Sequence, residues 1–124
     1  MNKTLKIAKW VLAVLLAFLF ISSGYPKLFP KASMIHRFAA WGYAPWFMKA
    51  VGLVELLGGV LLAVPKTAFY AALVLAIVML GAVYTHIATG IGGPGFAFII
   101  LILLLGVAFL WFKTIQAITK SNIS

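Results

Sequence analysis

The sequence predicts an all-α polytopic membrane protein, a bundle of four transmembrane helices with a short interfacial helix in its first outer loop. Three observations predict it. The 124 residues are 65% apolar and only 9% charged, whereas a soluble domain carries about 25% charged residues. Ten Lys/Arg stand against a single acid, Glu55, for a net charge of +9. These cations gather at the edges of apolar runs, the pattern of a membrane protein rather than of a nucleic-acid-binding face. The uncharged runs also have spanning length, since a span needs about 20 mostly apolar residues. Seventeen uncharged residues lie between Lys9 and Lys27, 16 residues charged only at Glu55 between Lys49 and Lys66, and 46 between Lys66 and Lys113.

The first span is expected near 7–24, behind Lys3, Lys6 and Lys9. With Ser22-Ser23-Gly24 at its end it also has the shape of a signal peptide; we read it as a retained span. The second is expected near 46–64, with Pro45 in its first turn. Gly90-Ile91-Gly92-Gly93-Pro94-Gly95 breaks the longest run into two spans, near 67–89 and 95–117. Thr67 is the expected cap of the third span and Gly90 its expected end. Between the first two spans, Ser33 opens and Gly42 closes a short helix, Met34 to Trp41, with Met34, Ile35, Phe38 and Trp41 at helical spacing and His36 and Arg37 off that face. Such a helix lies at the headgroup level, and Trp41, Tyr43, Trp46 and Phe47 are expected in the aromatic belt there. The chain, 1–124, reads as one domain.

Four spans place the N-terminus, the turn at 65–66 and the C-terminus on one side with Lys3, Lys6, Lys9, Lys66, Lys113 and Lys120; the other side holds Lys27, Lys31, Arg37 and Lys49. Six cations against four orient both termini to the cytoplasm of a plasma (bacterial inner) membrane. The outer loop is basic for a translocated segment.

Glu55 is the most informative residue. Nine residues past Trp46, at about 1.5 Å per residue, it lies roughly 13 Å into a hydrocarbon layer about 30 Å thick. An acid there costs on the order of 2.5–3.5 kcal/mol, so it faces the bundle, is protonated or is paired. Gly52 at i−3 and Gly59 at i+4 let a neighbouring helix approach that face. Lys27 at the outer end of the first span is within reach, and so is His86, on a stripe with Ala72, Ala76, Met79 and Val83. A polar cluster of Lys27, Glu55 and His86 in the outer half of the bundle is the expectation. Plainer readings stand beside it: Glu55 as a hydrogen-bonded link between helices, Lys27 as a boundary cation, His86 as an interfacial histidine, Ser22, Ser23 and Thr85 bonded back to their own helices, and Lys31, Arg37 and Lys49 on lipid headgroups.

No cysteine occurs, which excludes disulfides, thiol chemistry and iron–sulfur ligation by this chain. Two His, one Glu and no Asp build no metal site, and no phosphate-binding or nucleophile motif is present.

Three segments resemble a known family. Ser23-Gly24-Tyr25-Pro26-Lys27-Leu28 is similar to the SGxxKL signature of DoxX and DoxX-like proteins, Gly42-Tyr43-Ala44-Pro45 to their G-x-x-P, and Gly52-Leu53-Val54-Glu55-Leu56-Leu57-Gly58-Gly59 to their glycine-flanked Glu-Leu motif. The likeness covers roughly 8–110 and implies a four-helix membrane fold. It marks Gly24, Lys27, Gly42 and Glu55 as motif positions; His86 comes from its placement alone. The family takes its name from a subunit of an archaeal thiosulfate:quinone oxidoreductase, and relatives are linked to membrane redox assemblies. The resemblance therefore implies a membrane subunit of a redox or quinone-linked complex, with a quinone or bound lipid in the pocket around Glu55. Without a flavin, haem or iron–sulfur motif the chain is not expected to be an enzyme on its own. An animal branch acts as a receptor-assembly chaperone, which implies the alternative of a non-catalytic scaffold that captures a membrane or periplasmic protein through Lys31, Arg37 and Trp41. A small proton-coupled transporter, working as a homo-oligomer, ranks third. Nucleic acid is not an expected partner.

Overall fold

The computed structural model describes residues 3–90 and 92–123. They form five helices: α1 (Lys3–Leu28), α2 (Ala32–Ala40), α3 (Pro45–Leu62), α4 (Ala68–Thr89) and α5 (Gly95–Ile123). Four of these, α1, α3, α4 and α5, are long and apolar enough to cross a membrane. Successive spans pack side by side, α1 on α3, α3 on α4, α4 on α5, and α5 closes back on α1.

The core runs along the centre of this ring and includes Phe20, Leu62, Leu75, Leu104, Val107 and Trp111. Buried alanines on α4, Ala68, Ala71, Ala72 and Ala76, bring its backbone close to its neighbours. The outer surface is as apolar as the core: Phe18, Ile77 and Phe109 are among the many large side chains left exposed. At about 1.5–3 kcal/mol for each such side chain kept in water, only hydrocarbon suits that surface. The protein is an integral, multi-pass membrane protein in a lipid bilayer.

The helix ends follow the sequence at most points. Pro45 opens α3 and Gly90 closes α4 in a left-handed conformation, its N–H donating to the His86 carbonyl. Gly42, at φ +89°, follows the end of α2. Three ends differ. Ser33 is not the cap of α2, which starts at Ala32 with Lys31 in the cap position and no capping side chain. Thr67 occupies the cap position of α4 but donates its hydroxyl to the carbonyls of Leu61 (2.8 Å) and Val64 (3.3 Å), so it satisfies the end of α3 instead. Finally, α1 continues one turn beyond Gly24, through Pro26, to Leu28. A proline near a helix end deletes one backbone bond, and here the last turn is held by side-chain bonds described below. Ile91, in the predicted Gly/Pro turn, lies outside the described residues.

Candidate functional site

Ser23 and Lys27 are one helical turn apart on α1 and so share a face. That face meets Glu55 on α3 across a glycine contact. A Cβ on Gly52 would lie 2.6 Å from the Lys27 Cβ and 2.8 Å from the Gly24 carbonyl oxygen; one on Gly24 would lie 2.6 Å from the Gly52 oxygen and 2.7 Å from the Leu56 nitrogen. Farther down the same seam, a Cβ on Gly59 would lie 3.0 Å from the Ala17 oxygen. The two backbones approach as closely as glycine allows, which is how side chains on both reach each other inside the bundle.

The three polar groups form a closed ring. Lys27 Nζ donates to Glu55 Oε1 at 2.5 Å and to Ser23 Oγ at 2.7 Å, and Ser23 Oγ donates to Glu55 Oε2 at 2.9 Å. Each carboxylate oxygen thus receives a donor, the condition under which burial of an ion pair is tolerated. The Glu55 side chain is 2% exposed and that of Lys27 15%. Lys27 is therefore a partner to the acid rather than a simple boundary cation. Ser23 departs from expectation: its hydroxyl links Lys27 to Glu55 instead of bonding back to α1. Detecting it needed the helix to continue past Pro26, because only then do residues 23 and 27 share a face.

Lys27, Ser23 and Glu55 line one wall of a cavity of about 830 Å³ in the α2 half of the bundle, to which all five helices contribute. Most of the lining is apolar, including Phe20, Val51, Met79 and Ile100. The α2 segment covers it. Phe38 is buried, with Trp41 and Tyr43 against its ring at 5.1 and 6.2 Å between centroids. Trp41 packs edge-on against His86, centroids 5.2 Å apart at 87°. Thr85 donates to the Gly81 carbonyl of its own helix at 2.8 Å, as expected. Its hydroxyl proton being used there, Tyr43 is the donor in the 2.5 Å contact between Tyr43 OH and Thr85 Oγ1.

His86 lines the same cavity but on the α2 side, against Trp41, and belongs to a second polar wall rather than to the Lys27–Glu55 ring. Trp41, Tyr43 and Phe47 also differ from expectation: they turn inward to line the cavity, while Trp46, 71% exposed, stays outside as a belt residue should. The apolar face of so short a helix is satisfied equally by lipid or by a cavity, and the sequence pattern does not separate the two. Of the loop cations, Lys31, Arg37 and Lys49 are exposed, and Arg37 also lines the cavity.

Two buried donors lack an acceptor among the described residues, Trp41 Nε1 and Trp111 Nε1. The first belongs to a cavity-lining side chain.

The opposite end holds a polar group that the sequence did not reveal. Lys9, buried on α1, donates to Thr114 Oγ1 at 2.7 Å and places its Nζ 4.1 Å from the centre of the Trp111 ring. Trp10 meets the same ring edge-on at 5.0 Å.

Searches of curated proteins and of solved structures found no match. A family model described as the DoxX-like family matches residues 11–109, a stretch that contains all three glycine-bearing segments and most of the bundle, and the chain belongs to the DoxX-like family.

Proposed function

We propose that this protein binds a quinone- or lipid-like molecule in the cavity beneath α2 and serves as a membrane subunit of a redox or quinone-linked complex. The cavity carries the proposal: its volume of about 830 Å³ falls within the 300–1,000 Å³ typical of small-molecule sites. Its one deep polar wall gives an amphiphile a place for its head, and its apolar lining a place for its body. The protein's contribution is binding and orientation. Lys27 presents a donor, Glu55 and Ser23 hold that donor in place, and the α2 aromatics shield the site. Any redox chemistry belongs to the bound molecule or to a partner protein.

The cation count supports the proposed orientation: six Lys on the side of the termini stand against Lys27, Lys31, Arg37 and Lys49 in the outer segment, a bias toward cytoplasmic termini in a plasma membrane. The chain lacks cysteine, so single cysteines introduced at Lys31 and at Lys113 test this by impermeant labelling of whole cells; labelling is expected at 31 only.

Binding is tested by titrating a short-chain quinone into the protein in nanodiscs and following tryptophan fluorescence. Saturable quenching that disappears in Trp41→Phe and weakens in Lys27→Met is expected. Linear quenching in every variant would mean simple partition into lipid and would overturn the proposal. A second reading, a scaffold for a membrane or periplasmic partner, draws on the exposed outer face of α2 with Lys31, His36 and Arg37. It predicts partner capture that is lost in Lys31→Glu/Arg37→Glu and indifferent to Glu55→Gln.

A further inference from the structure

We infer that the buried head of the ligand is an uncharged hydrogen-bond acceptor, a carbonyl or ether oxygen received by Lys27 Nζ, and that Glu55 and Ser23 set this preference by holding Lys27 and compensating its charge. This rests on the ligand-binding reading above and narrows its chemistry.

The starting point is the closed ring. An ammonium has three donors. Two of them go to Glu55 and Ser23, and the third has no acceptor among the described residues. Lys27 lines the cavity and keeps 15% of its side-chain surface, whereas Glu55 keeps 2%. Glu55 already accepts at both oxygens. Ser23 uses its only proton on Glu55 and its oxygen on Lys27. Among the described residues the ring therefore leaves one donor open to a ligand, the third N–H of Lys27.

The ring offers that donor without net charge. An ammonium with a carboxylate sums to zero, and so would an amine with a carboxylic acid, so the result is independent of where the shared proton sits. The cavity that Lys27 opens into is lined mostly by apolar side chains, Phe20, Val51 and Ile100 among them. A ligand anion placed there would lose its hydration and gain no uncompensated cation in return. A neutral acceptor loses little and satisfies the open donor. Arg37 is a second cation on the cavity lining, but it is exposed on α2, where water screens it. His86 faces the cavity from α4 against Trp41, on the other wall. Selection between neutral and anionic heads is thus made at the Lys27 ring.

Replacing Glu55 by an amide of the same shape reverses the selection, because it leaves the Lys27 ammonium uncompensated. The test compares a long-chain methyl ketone with an alkyl sulfonate of equal chain length, a pair alike in body and different only in head charge. Binding is measured to the full-length protein in nanodiscs, each variant also carrying Arg37→Gln so that the exposed guanidinium cannot hold the sulfonate. With Glu55 intact the ketone is expected to bind at least about tenfold more tightly, the scale of one charge-dependent hydrogen bond. Glu55→Gln shifts the ratio toward the sulfonate by about tenfold or more. Lys27→Gln/Glu55→Gln weakens the ketone several-fold and restores its preference. Should Glu55→Gln fail to fold, the parent ratio and the double variant decide. Sulfonate preference in the parent, an unchanged ratio in Glu55→Gln, or undiminished ketone binding in the double variant would overturn the inference and leave the pocket reading standing. Failure of both probes to bind any variant would overturn the pocket reading itself.

Discussion

Lys9 and Lys27 lie on the same helix, 18 residues apart (27 − 9). At 3.6 residues per turn that is five full turns, so they share a face about 27 Å apart along the axis. Both are withdrawn from solvent, yet their surroundings differ. Lys9 meets no acid among the described residues; a hydroxyl and the face of Trp111 take its ammonium. Its side chain lies along apolar surface with its head toward the end of the bundle, the ordinary behaviour of a boundary lysine. Lys27 is held by the only acid in the chain, by a serine one turn away, and by glycines that bring α3 against it. It also opens into a cavity. The same residue type on the same face is thus a packing element at one end and the accessible member of a compensated polar group at the other. Position relative to Glu55 and the glycines makes the difference.

That contrast breaks most severely at Lys27. Lys27→Met leaves the Glu55 carboxylate buried without its cation, and a loss of about 3–5 kcal/mol is expected, measured as a lower midpoint in a denaturing-detergent titration. Lys27→Met/Glu55→Leu should recover most of it, since an apolar pair of similar volume removes the unpaired charge. Gly52→Ala comes next. Its methyl group meets both the Lys27 Cβ and the Gly24 backbone, so the helices must separate; a loss near 3 kcal/mol is expected, at the upper end of ordinary overpacking. In the same titration Lys9→Met costs about 1–2 kcal/mol, the sum of one hydrogen bond and one cation–π contact. If Lys9→Met proved as damaging as Lys27→Met, the two ends would not differ as described. The smallest effect belongs to Tyr43→Phe, which removes the bond to Thr85 and leaves the ring in place. About 1 kcal/mol is expected, seen more readily as faster hydrogen exchange in α2 than as a shifted midpoint.

Much of this was legible in the sequence, for identifiable reasons. Run lengths between charges, with Pro45, Gly90 and the Gly92–Gly95 segment, fix four spans because hydrocarbon thickness sets helix length. The pairing of Lys27 with Glu55 was legible because one acid among ten cations, deep in a span and flanked by glycines, has few possible partners. Ser23 was not, since its link to Lys27 exists only if the helix runs through Pro26, against the usual tendency of proline. The inward turn of Trp41 and Tyr43 was hidden as well, because α2 is amphipathic whether its apolar face meets lipid or a cavity. The burial of Lys9 depends on Trp111, more than 100 residues away, and no local pattern reports such a contact.

The central claim is that the Lys27 end of the bundle, and not the Lys9 end, holds a ligand. Native mass spectrometry of the protein released from nanodiscs made of its own membrane tests this most directly. A bound non-phospholipid mass is expected on the wild type, retained in Lys9→Met and absent from folded Lys27→Met/Glu55→Leu. A wild-type chain that carries no such mass, or one whose mass survives the loss of Lys27 and Glu55, would contradict the account.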